Sequence, residues 1–131
     1  MNAHLRQIAL RSKQFEVTEK ARTVAALTAM ILDFERHAND LMRQIAEEEE
    51  RTGIKQFADF AYSTFAKAAR LRRNNLLKSA EGLKVVLYSA RREHENAALE
   101  LSRLNPGPKR NSDYNHALRN DKTDLRALHL D

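Results

Sequence analysis

Cysteine and tryptophan are absent from this 131-residue sequence, which has only three glycines, two prolines and 6% aromatic residues. Without cysteine, disulfides and thiolate sites are excluded, and a reducing compartment is compatible. So few large apolar residues predict a thin helical seam rather than a thick globular core. No stretch approaches the ~20 apolar residues of a membrane span, and the first residues lead into no signal-length apolar run. We therefore expect a soluble cytoplasmic chain.

Sequence motifs of catalysis are also lacking. No glycine-rich phosphate-binding loop of either common type occurs. The run His94-Glu95-Asn96-Ala97-Ala98 begins like a zinc-protease helix but has alanine where the second histidine is required. The histidines are scattered and are expected on helix surfaces: His4, His37, His94, His116 and His129. We therefore expect no enzyme, no metal, no cofactor and no small-molecule substrate.

Charged residues make up 31% of the chain, and Ala, Glu, Lys, Leu and Arg dominate, as is typical of long helices. A first helix is predicted over about residues 5–51, where neither proline nor glycine occurs. Apolar residues repeat there every seven positions, with companions three residues later. The repeat comprises Leu10, Val17, Val24, Ile31, Ala38 and Ile45, with Leu27, Phe34 and Leu41 as companions. At the two companion positions before Leu27, Lys13 and Lys20 stand in place of apolar residues. The seam is therefore predicted to be weak near the N-terminus.

A second helix is predicted over about residues 61–104, again with a seven-residue repeat. It comprises Tyr62, Ala69, Leu76, Leu83, Ala90, Ala97 and Leu104, followed four residues later by Ala66, Arg73, Ala80, Leu87, His94 and Leu101. Two such series joined by a short connection predict an all-α fold, an antiparallel coiled-coil hairpin formed within residues 1–104. A homodimer, with helices pairing between chains, is the alternative if the chain does not turn at Gly53.

The connection is predicted at residues 52–60, where the helical pattern breaks. Gly53 suits a left-handed helix C-cap, and Asp59 suits the N-cap of the next helix. Four of the eight aromatic residues cluster here: Phe57, Phe60, Tyr62 and Phe65. Two interpretations stay open. These rings either anchor a partner protein or fold back over Ile45 and Ile54 to close the hairpin.

After the second helix, Asn105-Pro106-Gly107-Pro108 cannot continue a helix. The remaining residues show no heptad pattern and are rich in Asn, Asp and Ser. We expect residues 105–131 to form a flexible tail.

Charge is unevenly distributed: net −1 over residues 1–52, +5 over 53–104 and +1 over the remainder. Four glutamates, residues 47–50, end the first helix, where the helix dipole disfavours negative charge. Lys67, Arg70 and Arg73 of the second helix are expected nearby. They either neutralise the glutamates or leave them to dock a basic partner.

All basic residues of the second helix except Arg72 fall in an arc of roughly 140°, at 100° per residue. They are Lys67, Arg70, Arg73, Lys78, Lys84, Arg91, Arg92 and Arg103. Two interpretations of this basic arc stay open: it is a solvated face, or it is a docking face for an acidic protein. A nucleic acid or an anionic membrane surface is the less favoured partner, because no aromatic residue is interleaved with the arc for base stacking.

The tip sequence carries a family resemblance. It reads Arg51-Thr52-Gly53-Ile54, then Phe60-Ala61-Tyr62-Ser63-Thr64-Phe65-Ala66-Lys67-Ala68-Ala69 and Arg72-Arg73-Asn74-Asn75-Leu76. In the first helix, Phe15-Glu16-Val17, Glu19-Lys20-Ala21-Arg22 and Asp33-Phe34-Glu35-Arg36 fit the same pattern. Over approximately residues 5–104 the chain resembles the flagellar export protein FliJ family.

This resemblance implies a non-enzymatic accessory protein of bacterial flagellar type III export. Such a protein inserts a two-helix hairpin into the hexameric export ATPase ring and contacts the membrane export gate and export chaperones. It implies a cytoplasmic location with peripheral attachment to the membrane through those partners. Phe65 best matches a partner-facing aromatic of the family, with Tyr62 just before it. The break at residues 105–108 departs from the family, whose second helix usually continues.

On these grounds, seven residues are predicted to contact protein partners: Phe57, Phe60, Tyr62, Phe65, Lys67, Arg70 and Arg73. The alternative functions are a basic coiled coil that binds nucleic acid or an anionic membrane, and a homodimeric structural coiled coil.

Overall fold

The computed structural model describes residues 2–105, which form two long helices packed against each other. Helix α1 spans Ala3–Thr52, and α2 spans Thr64–Leu104. No strand occurs in this range. The predicted all-α hairpin of two helices is therefore confirmed. Apart from Asn105, the predicted tail at residues 105–131 lies outside the described residues.

Within residues 22–91 the two helices run antiparallel, as two ion pairs between them show. Glu35 lies 3.7 Å from Lys84, and Glu49 lies 2.9 Å from Arg70, so the order along one helix reverses along the other. The predicted seven-residue series lines the contact. Its buried members are Ile31, Ala38 and Ile45 of α1, and Ala66, Ala69, Ala80, Leu87 and Ala90 of α2 together with Tyr62 of the connection. The small alanines of α2 leave room for the larger residues of α1.

The described residues divide into two units: residues 22–91, and residues 2–21 together with 92–105. The predicted weaker seam is observed in the second of these. No side chain of residues 2–21 is buried, and Leu10 and Val17 are half-buried. Lys13 and Lys20 occupy the companion positions and reach across to α2. Their ammonium groups lie 2.6 Å from Glu100 and 3.4 Å from Glu93, respectively.

Local hydrogen bonds explain where α1 begins and ends. Asn2 is its N-cap, because its Oδ1 accepts a hydrogen bond of 2.8 Å from the Leu5 amide. At the other end Gly53 has φ +74°, and its amide donates to the Glu49 carbonyl at 2.9 Å. A left-handed glycine with this hydrogen bond is a standard helix C-cap, so the predicted role of Gly53 is confirmed.

The N-cap of α2 differs from the prediction. Ser63, not Asp59, caps the helix, since the Ser63 Oγ accepts a hydrogen bond of 3.2 Å from the Ala66 amide. Asp59 instead stabilises a turn within the connection, where its carboxylate accepts from the Ala61 amide at 2.9 Å. Helix α2 therefore begins at Thr64, three residues later than expected.

The connection, residues 53–63, contains two successive turns. The Asp59 amide donates to the Gln56 carbonyl at 3.1 Å, and the Tyr62 amide donates to the Asp59 carbonyl at 3.0 Å. These turns place Tyr62 against the helix seam and leave Phe60 on the outside. The local backbone thus decides which aromatic rings are available to a partner.

Candidate docking surface at the closed end of the hairpin

The closed end of the hairpin, residues 45–74, contains all seven residues predicted to contact partners, and the structure divides the four aromatic ones. Phe60 is fully exposed, and Phe57 and Phe65 are about half exposed. Tyr62 is only 6% exposed. Tyr62 is therefore not an accessible anchor, because the turn at Asp59 directs its ring into the seam. One ring of the cluster therefore lies in the seam, and three remain outside it.

Tyr62 is held by a hydrogen-bonded network that joins the connection to both helices. Its hydroxyl donates to Glu49 Oε2 at 2.9 Å and accepts from Arg70 Nε at 2.8 Å. Arg70 Nη2 also donates to the same carboxylate oxygen at 2.9 Å. Each of the three side chains contacts the other two, so their relative positions are fixed by three polar contacts.

Electrostatics in this network favour the charged forms of both ionisable partners. The hydrogen bonds from Arg70 and from the Tyr62 hydroxyl lower the pKa of the Glu49 carboxyl. The same contacts raise the pKa of Arg70, with the Glu49 carboxylate as the main cause. The Glu49 side chain is only 15% exposed, which explains why it needs these partners.

The ring of Phe57 lies beside this network and contacts two cations. The Lys67 ammonium lies 5.6 Å from the ring centroid, and the Arg70 guanidinium carbon lies 5.5 Å from it. These distances are typical of cation–π contacts. The rings of Phe57 and Tyr62 also meet in a tilted arrangement, with centroids 5.6 Å apart. Phe57 is therefore fixed in place although half of its surface remains open.

The three basic residues predicted to interact with partners differ in what they contact. Arg70 pairs with Glu49. Arg73 donates to the Asn74 side-chain oxygen at 3.0 and 3.2 Å, and Lys67 lies over Phe57. Within residues 2–105, neither Lys67 nor Arg73 has an acidic partner. These two cations are therefore available to carboxylates of another molecule.

Of the four glutamates at the end of α1, only Glu49 is neutralised from α2. Arg51 pairs with Glu48 within α1 and lowers the pKa of that carboxyl, and Lys55 lies 3.6 Å from Glu50. The prediction that opposite charges of the two arms meet here is confirmed for Arg70. Within residues 2–105 no ion pair joins Lys67 or Arg73 to these glutamates.

The basic arc of α2 is also partly engaged by acidic residues. Lys84 lies 3.1 Å from Glu81 and 3.7 Å from Glu35, and these contacts raise its pKa. Arg70 is engaged by Glu49. The arc is therefore not a continuous row of open cations of the kind that favours binding to a phosphate backbone.

The described part of the chain has neither a cluster of metal-binding side chains nor a membrane-spanning helix. Residues 2–105 contain no group of three or more His, Asp or Glu side chains that could hold a metal ion. Neither of the helices in that part of the chain is long and apolar enough to cross a membrane. What the closed end offers is apolar ring surface beside positive charge.

Three residues of this surface were not singled out by sequence reasoning. Glu49 was one of four equivalent glutamates, and only its position opposite Arg70 distinguishes it. Leu71, which is 64% exposed, and Asn74 lie outside the heptad seam. Their exposure beside Lys67 and Arg73 becomes apparent only when the connection is in place.

Comparisons with known proteins add no further information, because no family model, no curated protein and no solved structure matches the chain significantly.

Proposed function

We propose that the protein is a non-enzymatic docking component that inserts the closed end of its hairpin into a partner protein. The observation that carries this proposal is the exposure of Phe57, Phe60 and Phe65 on one short, well-anchored segment. Exposed aromatic rings are enriched at the centres of protein interfaces, where each can contribute a large share of the affinity. Three of them beside open cations exceed what closing a hairpin needs.

The partner that we propose is the hexameric ATPase of the bacterial flagellar type III export apparatus. The sequence resemblance of residues 5–104 to the FliJ family supports this identification. On this proposal the chain acts at the cytoplasmic face of the membrane. There it also contacts the membrane export gate and export chaperones, and it has no chemistry of its own.

The rigidity of the closed end supports a docking role. Tyr62, Glu49 and Arg70 hold the connection to both helices, so the exposed rings are presented without a large loss of freedom on binding. Lys67 and Arg73 add positive charge that would speed the encounter with an acidic surface.

The test is capture of the export ATPase of the same organism by the purified chain, together with motility of a deletion strain complemented by variants. Phe57, Phe60 and Phe65 are replaced together by alanine. We expect at least about a ten-fold loss of affinity and lost motility, because hot-spot rings cost more than 1 kcal/mol each. Phe15→Ala is the control, since Phe15 is also an exposed aromatic residue but lies on α1, outside the closed end.

Equal capture by the triple variant and the wild-type chain would refute docking through these rings. Binding that is lost steeply with salt, and that a single-stranded oligonucleotide or anionic vesicles reproduce, would support the basic coiled-coil alternative instead. Sedimentation of the free chain separates both from a homodimeric coiled coil. The docking proposal expects a monomer in isolation.

A further inference from the structure

A groove at the closed end has a lining that favours one class of ligand. It encloses about 360 Å³ and is lined by Phe57, Lys67, Arg70, Leu71, Arg73 and Asn74, a set that we name the tip groove. Phe57 comes from the connection and the other five come from two turns of α2. The groove thus extends about 10 Å along the helix, at 1.5 Å per residue.

The floor of the tip groove is apolar and open. Leu71 is 64% exposed, and half of the Phe57 side chain is accessible beside it. Large apolar side chains on a helix surface leave apolar area in water, and covering that area stabilises a complex. An apolar side chain of a ligand would therefore lie between Phe57 and Leu71.

The rim of the tip groove is positive. Lys67 and Arg73 have no acidic partner within residues 2–105, whereas Arg70 is already paired with Glu49. A ligand that brings two carboxylates would find two open cations, one toward each end of the groove. Its charge would be complementary to the rim, and no ion pair of the groove would have to break.

Polyanions fit this site less well than a short acidic peptide does. Within residues 2–105 the groove offers only two cations without an acidic partner, Lys67 and Arg73, whereas a nucleic-acid backbone gains its affinity from many phosphate contacts. A peptide needs to place only two carboxylates at the rim.

We propose that the tip groove binds a short acidic segment of a partner protein, in which an apolar residue lies between carboxylates. This inference rests on the proposed docking function and names the chemistry of the surface that it would meet. A length of 10 Å accommodates about three extended residues at 3.3 Å each. The recognised unit is therefore an apolar residue flanked by one acidic residue on each side, extended by further acidic neighbours.

The experiment measures binding of synthetic hexapeptides to the isotope-labelled full-length chain by nuclear magnetic resonance. The acidic probe is Glu-Asp-Leu-Asp-Glu-Asp, in which one leucine lies between two aspartates, and the neutral one is Gln-Asn-Leu-Asn-Gln-Asn. We expect the acidic peptide to shift the amide resonances of Phe57, Leu71 and Asn74, and the neutral peptide to bind about ten-fold more weakly.

A matched pair of variants separates the groove from net charge. Lys67→Glu with Arg73→Glu should weaken acidic-peptide binding by about ten-fold or more, because two attractions become repulsions. Lys78→Glu with Arg11→Glu changes the net charge equally, at exposed positions outside the groove, and should leave the affinity within about two-fold. Circular dichroism and melting curves of both variants verify that the helices persist.

Three results would overturn the proposal. They are the absence of any shift of groove resonances at millimolar peptide, an equal loss of peptide affinity in both double variants, and stronger binding of a ten-residue deoxythymidine oligonucleotide at the same resonances.

Capture of the export ATPase separates this inference from the proposed function. If the ATPase is captured equally by the Lys67→Glu, Arg73→Glu variant, the groove proposal fails while the docking function stands. If the acidic peptide occupies the groove but the ATPase is never captured, the proposed function fails while the groove proposal stands.

Discussion

The closed end of the hairpin and its open end, residues 2–21 with 92–105, are held by different forces. At the closed end, Ile45, Tyr62 and Ala66 are buried, and a capped connection joins the helices. At the open end α1 buries no side chain, and its contacts with α2 include the ion pairs of Lys13 and Lys20. Burial of apolar surface stabilises far more than exposed ion pairs do.

The hairpin is therefore stabilised most strongly at the end where its candidate docking surface lies. Tyr62, whose ring meets that of Phe57 beside the tip groove, is also a buried residue of the seam. The open end, in contrast, is free to fray without disturbing the docking surface. The ion pairs there are weak, because their carboxylates are at least half exposed to solvent. Hydrogen exchange should therefore be slower at residues 31–45 than at residues 5–20.

Replacing Tyr62 by alanine should produce the largest effect. The ring is buried and its hydroxyl joins Glu49 to Arg70, so the change leaves a cavity and removes two hydrogen bonds. We expect the free energy of unfolding to fall by about 3 kcal/mol, measured by urea denaturation. Phe60→Ala, two residues away, is the control and should change it by less than about 0.5 kcal/mol, since Phe60 is fully exposed. Equal effects would show that the closed end is not held by Tyr62.

The two described glycines should respond in opposite directions to the same substitution. Gly53→Ala places a Cβ on a backbone with φ +74° and should destabilise the hairpin by about 1–2 kcal/mol. Gly82→Ala adds a methyl group in open space on α2 and should stabilise it by about 0.5–1 kcal/mol. Thermal melting of both variants tests this. Stabilisation by Gly53→Ala would contradict the left-handed cap.

Acid should weaken the closed end through Glu49. Its pKa is lowered in the folded chain, so its contribution is present above the ordinary value of 4.5 and is lost as pH falls through the lowered value. Glu49→Gln should lower the melting temperature by a few degrees at pH 7 and by progressively less as the pH falls below 4.5 and the carboxyl becomes protonated. A difference between the two proteins that persists after all carboxyls are protonated would refute this. Glu48→Gln is an instructive comparison, because the main partner of Glu48 is Arg51 of the same helix.

Removing an ion pair of the open end should have the smallest effect. Lys13→Gln breaks the contacts with Glu16 and Glu100, yet both carboxylates are about half exposed. We expect a decrease in melting temperature of about 1–2 °C, with faster hydrogen exchange confined to residues 5–20. A loss as large as that of Tyr62→Ala would show that both ends contribute equally to stability.

The sequence was sufficient to predict the two helices and their contact. A seven-residue repeat of apolar residues can be buried only if a second helix covers it, so Ile31, Ala38 and Ile45 were identifiable as core residues. Gly53 was equally predictable, because few residues tolerate its backbone conformation. Lys13 and Lys20 correctly indicated the weaker part of the seam.

The arrangement of the connection was not predictable in the same way. Asp59 and Ser63 are both good helix caps, and the choice between them depends on two turns stabilised by their own hydrogen bonds. That choice displaced the start of α2 by one turn and decided that Tyr62 is buried while Phe60 is exposed. The tip groove follows from it, since Phe57 reaches Lys67 and Arg70 only through this path.

The eleven-residue connection from Gly53 to Ser63 also bears on how many chains share one pair of helices. Because the seam residues of α1 would fit α2 of another molecule equally well, nothing in the heptads themselves requires pairing within one chain. A deletion that straightens the connection would let two molecules exchange their second helices at no cost in buried contacts. The connection, rather than the heptads, therefore determines whether the helices pair within one molecule or between two.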